Sequence, residues 1–186
     1  LALVLGALLL GSILVIDVAI LQSETTTQAT TGTSQLGDSS APVEAPLTLL
    51  VLGEGSLVDG LDKSLEADLA SRFQSVTTSE NTTQDFDGPV LAVALTDRTV
   101  DYNPVTPSGR VTAEFAFVGT GNASFAASLA TGAQLVVTNE EPYVVRGKLT
   151  LADRSRGFAS RPGYERHLRD ALSAALAREL VSAPGM

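Results

Sequence analysis

The first part of the chain constrains it most, because Leu1–Leu21 (LALVLGALLLGSILVIDVAIL) is one apolar run. Its single charged residue is Asp17. At about 1.5 Å per residue, a helix of about twenty residues spans the roughly 30 Å hydrocarbon core of a bilayer. The sequence therefore predicts a transmembrane anchor over residues 1–22, with the lipid bilayer as its partner.

Two alternatives compete with a retained anchor. One is a signal peptide that is cleaved off, and the other is a pilin-type stem that packs into the core of a filament. Type IV pilins carry a glutamate near the start of that helix, whereas this chain has Leu5. No Lys or Arg occurs from Gln22 to Asp62, so nothing in this flank favours the cytoplasm. We expect the rest of the chain to lie outside the cell.

The segment that follows the apolar run, residues 23–46, is rich in Thr and Ser and ends at Pro46. It has few apolar residues with which to offset the entropy of ordering the chain. The sequence therefore predicts a disordered tether that lifts a folded domain, residues 47–186, off the membrane.

Two amphipathic helices are predicted in that domain. The first follows a short buried strand, Leu47–Leu52, and is expected to be capped by Ser56. The second begins at Gly163. Each carries an apolar residue at every fourth position, which is one stripe along a helix. The stripes are Leu57, Leu61, Leu65, Leu69 and Phe73 in the first helix, and Tyr164, Leu168, Leu172, Leu176 and Leu180 in the second.

Alternating apolar and polar residues between the two helices predict a mainly antiparallel sheet. One hairpin runs from Pro89 to Phe117, and a second joins Leu135–Thr138 to Tyr143–Leu151. Ser124–Ala130 is expected to form a short helix, and Asp153–Pro162 a loop. The predicted fold class is α+β, a two-layer sandwich with both amphipathic helices on one face of the sheet.

The composition is acidic, with 21 Asp and Glu against 12 Lys and Arg, a net charge of −9 and no cysteine. Lys63 and Lys148 are the only lysines. Such lysine-poor acidity resembles membrane-anchored extracytoplasmic proteins of salt-adapted, haloarchaeal-type organisms. The acidity disfavours nucleic acid as a partner, because phosphates need clustered cations. In outline, the strand, turn and Tyr-led helix from Val144 to Leu180 are similar to small envelope lipoproteins that assist larger machines.

Five arginines stand out in this acidic chain as a candidate docking patch for an acidic partner, a glycan or anionic lipid. They are Arg154, Arg156, Arg161, Arg166 and Arg169. Two Asn-X-Ser/Thr tripeptides, at Asn81 and Asn122, are candidate N-glycosylation sites on expected surface loops.

No residues are predicted to be catalytic, and no metal or cofactor is expected. The only histidine, His167, lies beside the apolar stripe of the last helix, and we expect it to pack or cap there. Two carboxylate pairs, Asp85 with Asp87 and Asp97 with Asp101, are candidates for calcium binding or for a glycosidase, but no D-x-D-x-D-G loop accompanies them, and a solvated acidic surface is the preferred interpretation.

These features together predict a single-pass membrane protein whose domain outside the cell serves as an accessory, adaptor or assembly factor. Its partner is expected to be an envelope protein or a glycan. The alternatives are a subunit of a surface filament, packed through the apolar N-terminal helix, and an envelope hydrolase.

Overall fold

The computed structural model describes residues 19–35, 45–134 and 143–183, which form one six-stranded sheet with helices on both faces. The elements, in chain order, are β1 (Ala19–Gln35), β2 (Leu47–Leu52), α1 (Leu61–Leu69), β3 (Val76–Thr78), β4 (Val90–Asp101), β5 (Ser108–Val118), α2 (Ala123–Ala130), β6 (Tyr143–Ala159) and α3 (Arg161–Ser182).

The sheet has the strand order β1-β6-β5-β4-β2-β3. β1, β6, β5 and β4 are successively antiparallel, whereas β2 runs parallel to both β4 and β3. The predicted α+β class is therefore confirmed. The hairpin strand predicted at Leu135–Thr138 lies outside the described residues.

Both predicted apolar stripes are buried against the same face of the sheet, which we call the helix face. It consists of residues such as Leu49, Leu91 and Phe115, and α1 and α3 cover it. One boundary was predicted wrongly, because α1 begins at Leu61 after Gly60 and not at a cap on Ser56. Gly60 has φ 85°, a left-handed conformation that glycine adopts at little cost.

The opposite face of the sheet has a smaller core of its own. α2 lies there, and its Ala126 and Leu129 pack with Ala92, Ala116 and Val144. The two-layer prediction therefore holds for α1 and α3, while α2 adds a third layer at one end of the sheet. We call the part of this second face that α2 leaves uncovered the open face. It includes Glu24, Thr99 and Arg154.

The predicted disorder of residues 23–46 is wrong for residues 23–35. These residues belong to β1, which pairs with β6 in an unbroken antiparallel register from Ala19↔Ala159 to Gln35↔Tyr143. Thr is β-branched and favours extended backbone, so this Thr-rich segment forms a strand once it has a partner. The folded domain therefore includes β1.

The predicted anchor helix extends too far at its C-terminal end, because Ala19–Leu21 belong to β1. Leu1–Val18 lie outside the described residues. Within the described part of the chain, no helix combines the length and apolarity needed to cross a membrane.

The loop predicted at Asp153–Pro162 is also wrong, because β6 continues through Ala159 and α3 starts at Arg161. Ser160 caps α3, since its Oγ accepts a hydrogen bond from the Gly163 backbone N–H at 3.1 Å. Because β6 extends to Ala159, Asp153 lies within a strand of the sheet and not in a loop.

A β-bulge in β4 decides which side chains reach the open face. The register between β4 and β5 shifts between Leu95 and Asp97. A bulge inserts one extra residue and so reverses the alternation of faces beyond it. Leu95 therefore faces the helices, while Asp97, Thr99 and Asp101 are on the open face.

Candidate functional site

A buried carboxylate, Asp153, lies where β1, β6 and α3 meet. Alternation along β6 directs Asp153 and Ser155 towards α3, and the side chain of Asp153 is 0% exposed. Tyr164 and His167 are three residues apart on α3 and so share one face of the helix. We call this group the Asp153 cluster, and its members are Ser23, Thr25, Asp153, Ser155, Tyr164 and His167.

Four side chains hydrogen-bond to the carboxylate. The Thr25 hydroxyl donates to Oδ1 at 2.8 Å, and His167 Nε2 lies 3.2 Å from the same oxygen. The hydroxyls of Ser155 and Tyr164 donate to Oδ2 at 2.7 Å and 2.9 Å. A buried carboxylate is stable only when its oxygens are satisfied in this way.

The protonation states in the cluster follow from these contacts. Burial alone raises the pKa of Asp153, but the hydrogen bonds, that from His167 foremost, outweigh burial and lower the pKa to about 2. Burial raises the pKa of Tyr164, and the hydrogen bond and negative charge of Asp153 raise it further. Asp153 is therefore an anion at neutral pH, and Tyr164 is a neutral donor.

The cluster contains serine, histidine and aspartate but lacks the geometry of a catalytic triad. His167 Nε2 is 3.0 Å from Ser23 Oγ and 3.2 Å from Asp153 Oδ1, so one nitrogen faces both groups. In a triad, the acid holds one ring nitrogen so that the other can take the serine proton. An Nε2–H that donates to Asp153 has no lone pair with which to accept that proton. The contacts therefore do not activate Ser23.

What the cluster does is join three elements. Thr25 belongs to β1, Asp153 to β6 and Tyr164 to α3, so one anion fixes the edge strand to the sheet and to the last helix. His167 was expected to pack or cap; it stacks near the Tyr164 ring, with centroids 6.1 Å apart, and also binds the anion.

A broad groove of about 670 Å³ lies on the open face, on the other side of the sheet from the Asp153 side chain. The groove crosses β1, β6, β5 and β4. Its charged side chains are Glu24, Asp97, Asp101, Arg110 and Arg154, and its hydroxyls come from Thr26, Thr99 and Ser108. Glu24, Arg154 and Ser108 are neighbours in register, which places opposite charges side by side.

The structure divides the five predicted arginines between the two sides of the sheet. Arg154 and Arg156 alternate with the inward-facing Ser155 and so point to the open face. The other three lie on α3, which covers the helix face. Arg161 pairs with Glu165 at 3.2 Å, and Arg169 donates to the Asp59 carbonyl at 2.7 Å. The five therefore do not form one continuous patch.

The two candidate glycosylation asparagines differ in their surroundings. Asn81 is exposed, and its Oδ1 accepts from the Thr83 backbone N–H at 3.0 Å in a local turn. Asn122 is the N-cap of α2, where its Oδ1 accepts from the Phe125 backbone N–H at 3.0 Å.

Of the two carboxylate pairs considered for calcium, Asp97 and Asp101 lie on one strand at the groove, whereas Asp85 and Asp87 lie before that strand, where Asp85 forms an isolated β-bridge with Asn122. Across residues 19–35, 45–134 and 143–183, no three His, Asp or Glu side chains are grouped so that they could hold a metal ion.

Sequence reasoning missed the Asp153 cluster because residues 153–162 were interpreted as a loop. The signal was present in the alternation of Asp153 and Ser155 with Arg154 and Arg156, a period of two that is typical of a strand. The inward residues of this strand are polar, so the alternation did not resemble a buried strand.

Comparisons with known proteins gave structural likeness only. No protein-family model matches the chain, and no curated protein matches it. A variant PelC dodecamer from Paraburkholderia phytofirmans is 13% identical, with a TM-score of 0.42, over 86% of this chain and 100% of that chain.

A second PelC dodecamer from the same organism is 13% identical over 84% of this chain and 96% of that chain, with a TM-score of 0.37. Lipoprotein GNA1162 from Neisseria meningitidis is 13% identical over 75% of this chain and 99% of that chain, with a TM-score of 0.40. At such low scores and identities, no function or assembly state is inferred from these proteins.

Proposed function

We propose that the chain is a membrane-anchored domain outside the cell that binds another envelope protein, as an accessory, adaptor or assembly factor. The observation that carries the binding role is the groove on the open face. No element among the described residues covers it, and it crosses four strands and presents charges of both signs together with hydroxyls. Polar surfaces of mixed charge select a partner with the complementary pattern and are costly to match with the wrong one.

β1 supports the anchored part of the proposal. The strand begins at Ala19, within the apolar run, so a force on the residues before it acts on the sheet itself. The remaining Leu1–Val18 still falls within the range of about 17–25 residues for a membrane-spanning helix. The Asp153 cluster fixes β1 to β6 and α3, which joins an anchor firmly to the domain.

Site-specific photo-crosslinking on intact cells, at the salt concentration in which they grow, tests this function. A photoreactive residue at Thr99 lies in the groove, and one at the exposed Glu66 of α1 is the matched control on the other side of the sheet. We expect one foreign protein to be captured at Thr99 and not at Glu66. Equal adducts at the two positions, or a glycan as the sole adduct at Thr99, would contradict an envelope protein as partner.

A second candidate, self-assembly into a filament, is favoured by the edge formed by β1. Proteins usually protect edge strands with prolines, lysines, bulges or short length. β1 is 17 residues long, contains no proline or lysine, and carries one charge, Glu24. A ladder of self-adducts from a photoreactive residue at Thr27 on this edge would favour the filament; its absence would leave the adaptor preferred.

A further inference from the structure

Two large apolar side chains are largely exposed among the described residues, and they lie at one corner of the sheet. Ile20 in β1 is 74% exposed, and Val105, between β4 and β5, is 58% exposed. Ile20 is opposite Phe158 in register, and the Val105 carbonyl accepts a hydrogen bond from the Gly157 backbone N–H at 2.9 Å. Because Gly157 and Phe158 are consecutive, Ile20 and the backbone of Val105 lie on the two sides of the same end of β6.

One arginine lies beside these side chains. Arg156 is on the open face, as Ile20 is, and lies opposite the uncharged Gln22. It is exposed and makes no ion pair with any residue in the described part of the chain. We call Ile20, Val105 and Arg156 the basal corner.

The basal corner is next to Leu1–Val18, the part of the apolar run that precedes β1. Ile20 is two residues beyond Val18, and an extended chain covers at most about 3.6 Å per residue. Ile20 therefore lies within about 7 Å of Val18. Exposed apolar side chains bordered by arginine are typical of surfaces that sit at the boundary between headgroups and acyl chains.

We propose that the basal corner rests on the bilayer, with Ile20 and Val105 entering the headgroup boundary and Arg156 contacting a lipid phosphate. This inference depends on the anchoring proposed above. The charge of the chain favours this orientation over others. The chain as a whole carries a net charge of −9, which anionic lipid repels, whereas Arg156 at the basal corner is attracted. The domain is thereby held in one orientation on the membrane.

Single-cysteine spin labels on the full chain in lipid vesicles test the proposal, since the chain has no cysteine of its own. One label is placed at Val105→Cys. The control is Ala133→Cys, an exposed position beyond the far end of β6. In vesicles of phosphatidylcholine with phosphatidylglycerol, we expect several-fold protection of the Val105 label from a water-soluble relaxation agent, and none at Ala133.

Flotation of the same vesicles separates this inference from the anchoring. If the protein floats with the vesicles but the Val105 label is as accessible as the control, the basal corner is not on the bilayer, although the anchor stands. Such a result would be expected if the corner were reserved for a protein. If the protein does not float, the anchor and the corner both fail.

The role of Arg156 is tested by Arg156→Gln combined with the Val105 label. We expect protection to fall in the anionic vesicles and to be unchanged by the substitution in pure phosphatidylcholine. Equal protection of the parent and the Arg156→Gln chain in anionic vesicles would overturn the phosphate contact.

Discussion

The hydroxyl of Tyr164 donates a hydrogen bond of 2.9 Å to Oδ2 of Asp153, and both residues are fully or almost fully buried. This contact joins α3 to β6 beneath the edge strand. Asp153 also binds Thr25 of β1, so the stability of the edge of the sheet depends on one anion. The first two predictions test that dependence.

Tyr164→Phe should destabilise the domain by about 1–3 kcal/mol, because the buried carboxylate loses a donor that nothing replaces. Tyr102→Phe is the matched comparison: its hydroxyl donates to the neutral carbonyl of Ala159 at 2.9 Å, so its loss should cost about 1 kcal/mol. Urea unfolding of the full chain in detergent micelles gives both values. Equal costs for the two variants would contradict a special role for the Asp153 contact.

Stability should fall in acid as Asp153 is protonated. Its pKa in the folded chain, about 2, is below the ordinary value of 3.8, so the stabilisation is complete above about pH 4 and is lost as the pH falls towards 2. The expected loss is on the order of 2 kcal/mol.

Asp153→Asn isolates this contribution from those of the other carboxylates. The variant should be less stable at neutral pH, and the difference between parent and variant should shrink between pH 4 and pH 2. Unfolding titrations at several pH values measure the difference. A constant difference across that range would show that the depressed pKa of Asp153 does not stabilise the fold.

Hydrogen exchange should distinguish β1 from a disordered segment. In an antiparallel edge strand, alternate amides bond to the neighbour and the others face outward. We therefore expect alternate amides from Ala19 to Gln35 to exchange slowly, with those near Thr25 the slowest because the Asp153 cluster fixes them. Uniformly fast exchange across β1 would restore the tether that the composition predicted.

Gly147→Ala should destabilise the domain by about 1–3 kcal/mol, because a Cβ there would overlap the Phe115 ring in the core. Gly32→Ala is a matched control on the adjacent strand, where a Cβ would lie 3.9 Å from the Arg146 carbonyl, an ordinary contact. Thermal unfolding of the two variants checks the contrast. If Gly147→Ala is as stable as Gly32→Ala, the packing against Phe115 is looser than described.

The helices and the central strands were predictable because their signals are local. Leu168 and Leu172 repeat at helical spacing, and Val111 and Phe115 alternate with polar residues; each pattern needs only the neighbouring sequence. The burial of all four side chains confirms the faces that these patterns predicted.

β1 and the Asp153 cluster were not predictable in this way because their contacts are not local. Thr25 and Asp153 are separated by 128 positions. The composition of β1 does not show that this segment pairs with another strand. The low hydrophobicity of a Thr-rich segment predicts disorder for an isolated chain. Pairing with β6, which has free backbone groups to offer, orders the segment instead. A single sequence does not directly show which strands pair.

The pairing of β1 with β6 also sets the order in which the domain can be completed. During synthesis, β1 emerges long before β6, so its backbone groups have no partner while β2 to β5 form. Contacts between distant parts of a chain form slowly, and unpaired strands make an incompletely folded chain prone to aggregate. Closure of the sheet by β1 is therefore a late event of folding, and the Asp153 anion forms its complete set of bonds only when that event is over.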